Sequence, residues 1–137
     1  MEQVSVLIVD EYPTLRRGLR ELLRQTPGVK SVEEASSLED ALIAIDQAAP
    51  DVIVLDGDFL GRNPEHVLAR LRDRAPRASL ITICPLNRPG NRIRRPWDGV
   101  DAVVDKRHLA EDLGLAVVLC VGLPRIREED AQWCGLQ

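Results

Sequence analysis

Aromatic residues are nearly missing from this 137-residue chain: one Phe, one Tyr and two Trp make up 3% of it. So few rings leave little to stack on nucleobases, and any core has to be aliphatic. Cysteine is sparse too. Cys84, Cys120 and Cys134 form an odd, widely spaced set with no CxxC and no Cys/His pairing, which excludes a zinc-finger pattern or a disulfide framework and suits a reducing compartment. The chain also lacks a run of about 20 apolar residues, the length a helix needs to cross a bilayer; the uncharged stretch 113–123 is far too short. Met1-Glu2-Gln3 leads straight into strand-like sequence without the basic and apolar segments of a signal peptide, so no membrane association and a cytoplasmic location are expected. Internal repeats and low-complexity segments are absent as well.

What is there has the composition of one globular domain: 45% hydrophobic and 29% charged residues, in a length that can bury a core. The net charge of −4 is unevenly spread: residues 1–61 carry −7, residues 62–107 carry +6 and residues 108–137 carry −3. Arginines therefore gather in the middle. Such a bias suits an acidic partner or a solvated helix face. Direct nucleic-acid binding is not expected, because rings are scarce and no helix-turn-helix follows the domain.

Val4–Val9 reads as a first strand and ends in acid, at Asp10-Glu11. Pro13 suits the first turn of a helix, and Leu15, Gly18, Leu19, Leu22 and Leu23 repeat at helical spacing, with an end near Gln25 before Thr26-Pro27-Gly28. Residues 29–35 form a weaker strand, broken by Lys30, Glu33 and Glu34 as befits a sheet edge. Ser36 with Glu39 three residues on forms a capping box for a second helix, whose buried face is Leu38, Ala41, Leu42 and Ile45. Residues 52–55 are a short β-branched run behind Pro50, long enough for a strand buried on both faces, and they lead into Asp56. Asn63-Pro64 opens a helix with Val67, Leu68 and Leu71 inward, and residues 80–84 give a fourth strand.

The pattern then weakens. Between Cys84 and Gly99 the alternation demands another helix, but Pro85, Pro89, Pro96 and Gly90 leave at most residues 90–95 for it, since a proline in a helix interior costs about 3 kcal/mol. A short or irregular fourth helix is expected. Residues 100–104 form a fifth strand ending at Asp105-Lys106, and a last helix begins near His108 or Leu109. Leu109, Leu113, Ala116, Val117 and Cys120 occupy one of its faces, yet Leu115, Val118, Leu119 and Val121 make the other side apolar too. Terminal helices of small domains usually keep one face polar, so a homodimer through this helix is expected.

The order βαβαβαβαβα specifies an α/β fold, a five-stranded parallel sheet wound on both faces by helices through right-handed crossovers. All strands then end on one edge, where Asp10 and Glu11, Asp56 and Asp58, and Lys106 meet. Gathered carboxylates repel one another and call for a cation; hard oxygen ligands suit Mg²⁺, which takes one or two carboxylates and keeps waters for a phosphate. A carboxylate can also attack phosphorus and hold an acyl phosphate when positive charge offsets the oxyanion.

At this point the chain resembles the receiver domain of two-component response regulators, a flavodoxin-like (βα)5 fold. Asp10-Glu11-Tyr12-Pro13-Thr14-Leu15-Arg16-Arg17-Gly18-Leu19 is similar to that family's acidic pair and first helix, especially in the branch that carries a LuxR-like DNA-binding domain. Residues 49–56, Ala-Pro-Asp-Val-Ile-Val-Leu-Asp, resemble its phosphoacceptor strand, and residues 99–106 its lysine strand. The resemblance covers residues 4–121 and implies that Asp56 is the phosphoacceptor, that Asp10, Glu11, Asp56 and the backbone carbonyl of Asp58 hold Mg²⁺, and that Lys106 contacts the phosphoryl group. It also implies a histidine kinase or another phosphodonor as partner. Residues 1–121 would be the receiver domain, and 122–137 a polar tail with no output domain.

The chain departs from that family at its switch positions. Cys84, a weak donor, stands where the family has a Thr or Ser that hydrogen-bonds the phosphoryl oxygen. Pro85, with no N–H, stands where a backbone amide also reaches it. Val103 takes the aromatic position three before the lysine, and Leu60 replaces a proline of the phosphoacceptor loop. The expected function is thus an atypical, non-enzymatic receiver with output by protein contact through the face of the fourth helix, fifth strand and last helix. The alternative is a pseudo-receiver that binds a partner without phosphorylation. A phosphatase of the haloacid-dehalogenase type, read from Asp56-Gly57-Asp58, is remote because that family's DxD ends the first strand and only 81 residues follow here.

Overall fold

Five aliphatic runs pair in parallel into one sheet in the computed structural model, which describes residues 3–85 and 99–121. The strands are β1 (Val4–Val9), β2 (Val29–Ala35), β3 (Val52–Asp56), β4 (Ser79–Cys84) and β5 (Ala102–Asp105), in spatial order β2-β1-β3-β4-β5. This is the flavodoxin-like order, and β2 lies at an edge as its charges foretold. The helices are α1 (Pro13–Arg24), α2 (Leu38–Gln47), a single turn α3 (Gly57–Leu60), α4 (Pro64–Arg74) and α5 (Leu109–Cys120), the last entered through a 3₁₀ turn at Lys106–His108. The expected short helix between 85 and 98 and the tail from 122 lie outside the described residues.

The period of two along each strand sorts the aliphatic side chains into two cores. Val6, Ile8, Val54, Ile81, Ile83 and Val104 face α1 and α5 and pack with Leu19, Leu23, Leu113 and Val117. Leu7, Val9, Ile53, Leu55, Leu80 and Val103 point the other way, to Leu42, Ile45, Leu68 and Leu71 of α2 and α4. Burial on both faces explains why β3 reads as a continuous apolar run rather than an alternation.

Several boundaries differ from the sequence reading. The cap of α2 is Ser37, not Ser36: its hydroxyl accepts from the Asp40 N–H at 3.1 Å, while Ser36 donates to the Asp40 carboxylate. β5 begins at Ala102 rather than Val100, since Asp101 turns inward and accepts from the Leu80 N–H at 2.7 Å. Arg72 of α4 holds that corner. It donates to the Gly99 carbonyl at 2.8 Å, to the Ala78 carbonyl and to Asp101.

Candidate functional site

The register of the sheet aligns the site. Val9 of β1 pairs with Leu55 of β3, so Asp10 and Asp56 follow neighbouring strands at the same height. Cys84 pairs with Asp105, which puts Lys106 one step past the end of β5 on the same edge. β1 hands the chain to β2 on one side, whereas β3 hands it to β4 on the other. The loops part between them, and the crevice opens where such sheets bind ligands.

Asp10 and Asp56 are buried at this edge, 0% and 1% exposed, and Lys106 is the cation between them and solvent. Its ammonium lies 3.2 Å from Asp56 Oδ1 and 3.3 Å from Oδ2, and 3.8 Å from the exposed Asp58 carboxylate. Asp56 Oδ1 also accepts from the Asp58 N–H at 3.2 Å, capping α3. Burial alone acts to lower the Lys106 pKa, but the Asp56 contact and the surrounding carboxylates raise it overall. Asp10 Oδ1 accepts from the Tyr12 N–H at 2.8 Å, whereas its Oδ2 is buried without a partner. Burial pushes the Asp10 carboxyl up. The Tyr12 N–H opposes the shift, the Asp56 charge adds to it, and Lys106 and Arg16 act against it.

An orphaned buried carboxylate oxygen beside a second buried carboxylate is what a small hard cation would satisfy, so Asp10 and Asp56 fit Mg²⁺. Glu11 is exposed next to them. Among the described residues no group of three or more His, Cys, Asp or Glu side chains is close enough to hold a metal, so such a cation would lean on the two buried acids, a backbone carbonyl and water.

Cys84 is half-buried at the end of β4. Burial pushes its thiol up, helped by Asp56 and Asp58 and opposed by the Thr82 hydroxyl and Lys106, so it stays neutral near pH 7. Pro85 follows it, and Val103 is buried in the α2/α4 core. Two residues that the sequence reading passed over belong here. Asp105 is 1% exposed and accepts from the Arg107 N–H and guanidinium, both at 3.0 Å, capping the 3₁₀ turn that launches Lys106. Arg16 of α1 donates to the Asp10 carbonyl at 2.8 Å. Neither carries a motif of its own.

The sheet order and this charged edge define a flavodoxin-like receiver fold. Residues 6–117 match the response regulator receiver domain family, and the chain belongs to it as a receiver module of two-component signalling. It is 28% identical over 112 residues to the nitrate/nitrite response regulator protein NarL of Escherichia coli (strain K12), covering 82% of this chain and 52% of that protein. It is 43% identical over 73 residues to the DNA-binding transcriptional activator DevR/DosR of Mycobacterium tuberculosis, covering 53% of this chain and 34% of that protein. The chain thus spans about half the length of NarL and less of other curated relatives. Among solved structures, a LuxR-family two-component response regulator from Aurantimonas sp. SI85-9A1 superposes with a TM-score of 0.74 over 98% of this chain and 96% of that one. The two are 19% identical, so the likeness speaks for fold alone. Among the described residues no helix is long and apolar enough to cross a membrane.

Proposed function

We propose that Asp56 accepts a phosphoryl group, with a divalent cation at Asp10 and Asp56. The observation that carries this reading is the buried Asp56 held by Lys106 beside the orphaned Asp10 oxygen. An Asp56 carboxylate oxygen attacks phosphorus, the bond from phosphorus to the donor's leaving group breaks, and an acyl phosphate forms. Lys106 contacts the transferred oxygens while remaining protonated. Mg²⁺, when bound, supplies charge neutralisation of those oxygens. Asp10 would hold it directly and Glu11 through water, with the Asp58 carbonyl completing the set. The donor is a phosphohistidine of a kinase or a small acyl phosphate, and the location is cytoplasmic. Incubation with acetyl phosphate and Mg²⁺ should add one phosphate by intact-mass measurement, and Asp56→Asn should remove it. An unmodified native protein under all donor conditions overturns the reading.

Output then runs through protein contacts on the exposed side of α5. Leu115, Val118 and Leu119 are exposed on α5, and a groove of about 470 Å³ runs between Leu115 and Val118 and the end of α1 at Thr26 and Pro27. A second copy of the chain is the proposed occupant.

A second reading has its own support. Cys84 and Pro85 remove two donors that would hold a phosphoryl oxygen, each charge-assisted bond being worth about 1.5–3 kcal/mol. A pseudo-receiver that binds its partner with Asp56 unmodified would show equal partner affinity in native protein and Asp56→Asn.

A further inference from the structure

Every polar atom of Asp10 but one has a hydrogen-bond partner. Its N–H donates to the Ala35 carbonyl of β2 at 3.0 Å, its Oδ1 accepts from Tyr12, and its carbonyl accepts from Arg16 at 2.8 Å. Oδ2 is left over, buried and without a hydrogen-bond partner among the described residues. Arg16 is itself restrained. Its Nε donates to Glu34 Oε1 at 3.0 Å, and Arg20, one helical turn on, holds the other Glu34 oxygen. Arg16 and Glu34 are both mostly covered, with side chains 19% and 24% exposed. Burial acts to raise the Glu34 pKa, but its bonds to Arg20 and Arg16 bring it below the ordinary value, so the carboxylate is ionised through the neutral range.

We propose that Glu34 and Arg16 form a strut from the β2 edge to the acidic loop, and that Arg16 is a positioning residue which presents Asp10 Oδ2 to the cation. The inference rests on the cation reading above. The alternative role for Arg16 is a charge alone, and the two roles predict opposite signs. A guanidinium near the site repels a bound cation, so removing it as a mere charge would tighten binding. Removing it as a strut frees the Asp10 carbonyl and lets the loop shift, and losses at the outer shell of a metal site typically weaken affinity by 10–100-fold. Lysine keeps the charge but lacks the fork that spans Glu34 and a carbonyl at once, so it restores little.

The experiment measures Mn²⁺ affinity by electron paramagnetic resonance of the free ion, and hydrogen exchange of the Tyr12 amide without metal, in native protein, Arg16→Ala, Arg16→Lys and Glu34→Gln. The strut predicts Mn²⁺ binding weakened about tenfold in Arg16→Ala and by a comparable factor in Arg16→Lys. It also predicts faster Tyr12 exchange in both and in Glu34→Gln, with the amides of β3 unchanged. Equal or tighter Mn²⁺ binding in Arg16→Ala, with Tyr12 exchange as in the native protein, overturns it. Native protein that binds no Mn²⁺ sinks the cation reading instead, and the strut is then decided by Tyr12 exchange alone: acceleration sustains it and no change overturns it. A uniform rise in exchange across β3 marks general unfolding and counts against a local strut.

Discussion

Asp10 shows how a site residue can work against the fold that carries it. Its raised pKa, caused first by burial, means that the folded state takes up a proton more readily than the unfolded chain does. Between the ordinary value of 3.8 and the raised one, the folded state therefore binds more protons, and stability falls as pH rises through that window. Asp10→Asn removes this penalty. In chelator, the variant is expected to be more stable than native protein at pH 7 and to lose that advantage towards pH 4, read from urea unfolding at both pH values. Cys84 makes a second prediction at this scale. If the neutral thiol stands where a hydroxyl would bind the phosphoryl oxygen, Cys84→Thr restores one charge-assisted bond of about 1.5–3 kcal/mol. The acyl phosphate should then survive about tenfold longer after donor removal, as followed by mass spectrometry, since about 1.4 kcal/mol is tenfold. An unchanged lifetime would place the position 84 side chain out of reach of the phosphoryl group.

Among the elements, α5 meets the end of α1 at a close approach over Gly114, where the Thr26 side chain fills the space a Cβ would take. A Cβ on Gly114 would fall 2.9 Å from Thr26 Oγ1 and 3.0 Å from its Cγ2. Thr26 Oγ1 donates to the Leu22 carbonyl and so finishes α1. Gly114→Ala gains about 1 kcal/mol of helix propensity but forces Thr26 aside, and overpacking of this kind costs about 1–3 kcal/mol. A net loss is expected, seen as a melting temperature lower by several degrees. At this scale the sequence was readable where its signal was local. Strands β1, β3 and β5 announced themselves as β-branched runs, and Asp10, Asp56 and Lys106 stood at their ends. The cap of α2 was not, because Ser36 and Ser37 are each followed three places later by an acid, Glu39 and Asp40, and only the backbone conformation chooses between them. α3 is one turn long, too short for any period to show. The Arg16–Glu34 and Arg72–Asp101 ties join residues 18 and 29 positions apart, and no pattern in the chain connects them beforehand.

For the molecule as a whole, the asymmetry lies in α5, which buries Leu113, Ala116 and Val117 while leaving Leu115, Val118 and Leu119 outside. A dimer of micromolar affinity, about −8 kcal/mol, is well populated at about 50 μM chain. Sedimentation at that concentration is expected to give a dimer mass for native protein and a monomer mass for Leu115→Asp or Val118→Asp, with the circular dichroism of the fold retained. A native monomer, or no loss of association in either variant, would remove the second copy from the proposal.

The Arg72 corner bears on the order in which the chain assembles. β4 and β5 are parallel neighbours with 17 residues between Cys84 and Ala102, the shortest connection between neighbouring strands of the sheet, and their pairing still has to close that gap. Arg72 reaches Gly99 and Asp101, at the entry to β5, from a helix that is complete before β4 begins. It is a mooring that ties the entry of β5 to α4 and to the residues leading into β4. Because β5 lies at an edge of the sheet, release of that tie would open β5 and α5 to local unfolding. Lys106 goes with them, leaving Asp56 in place but without its cation.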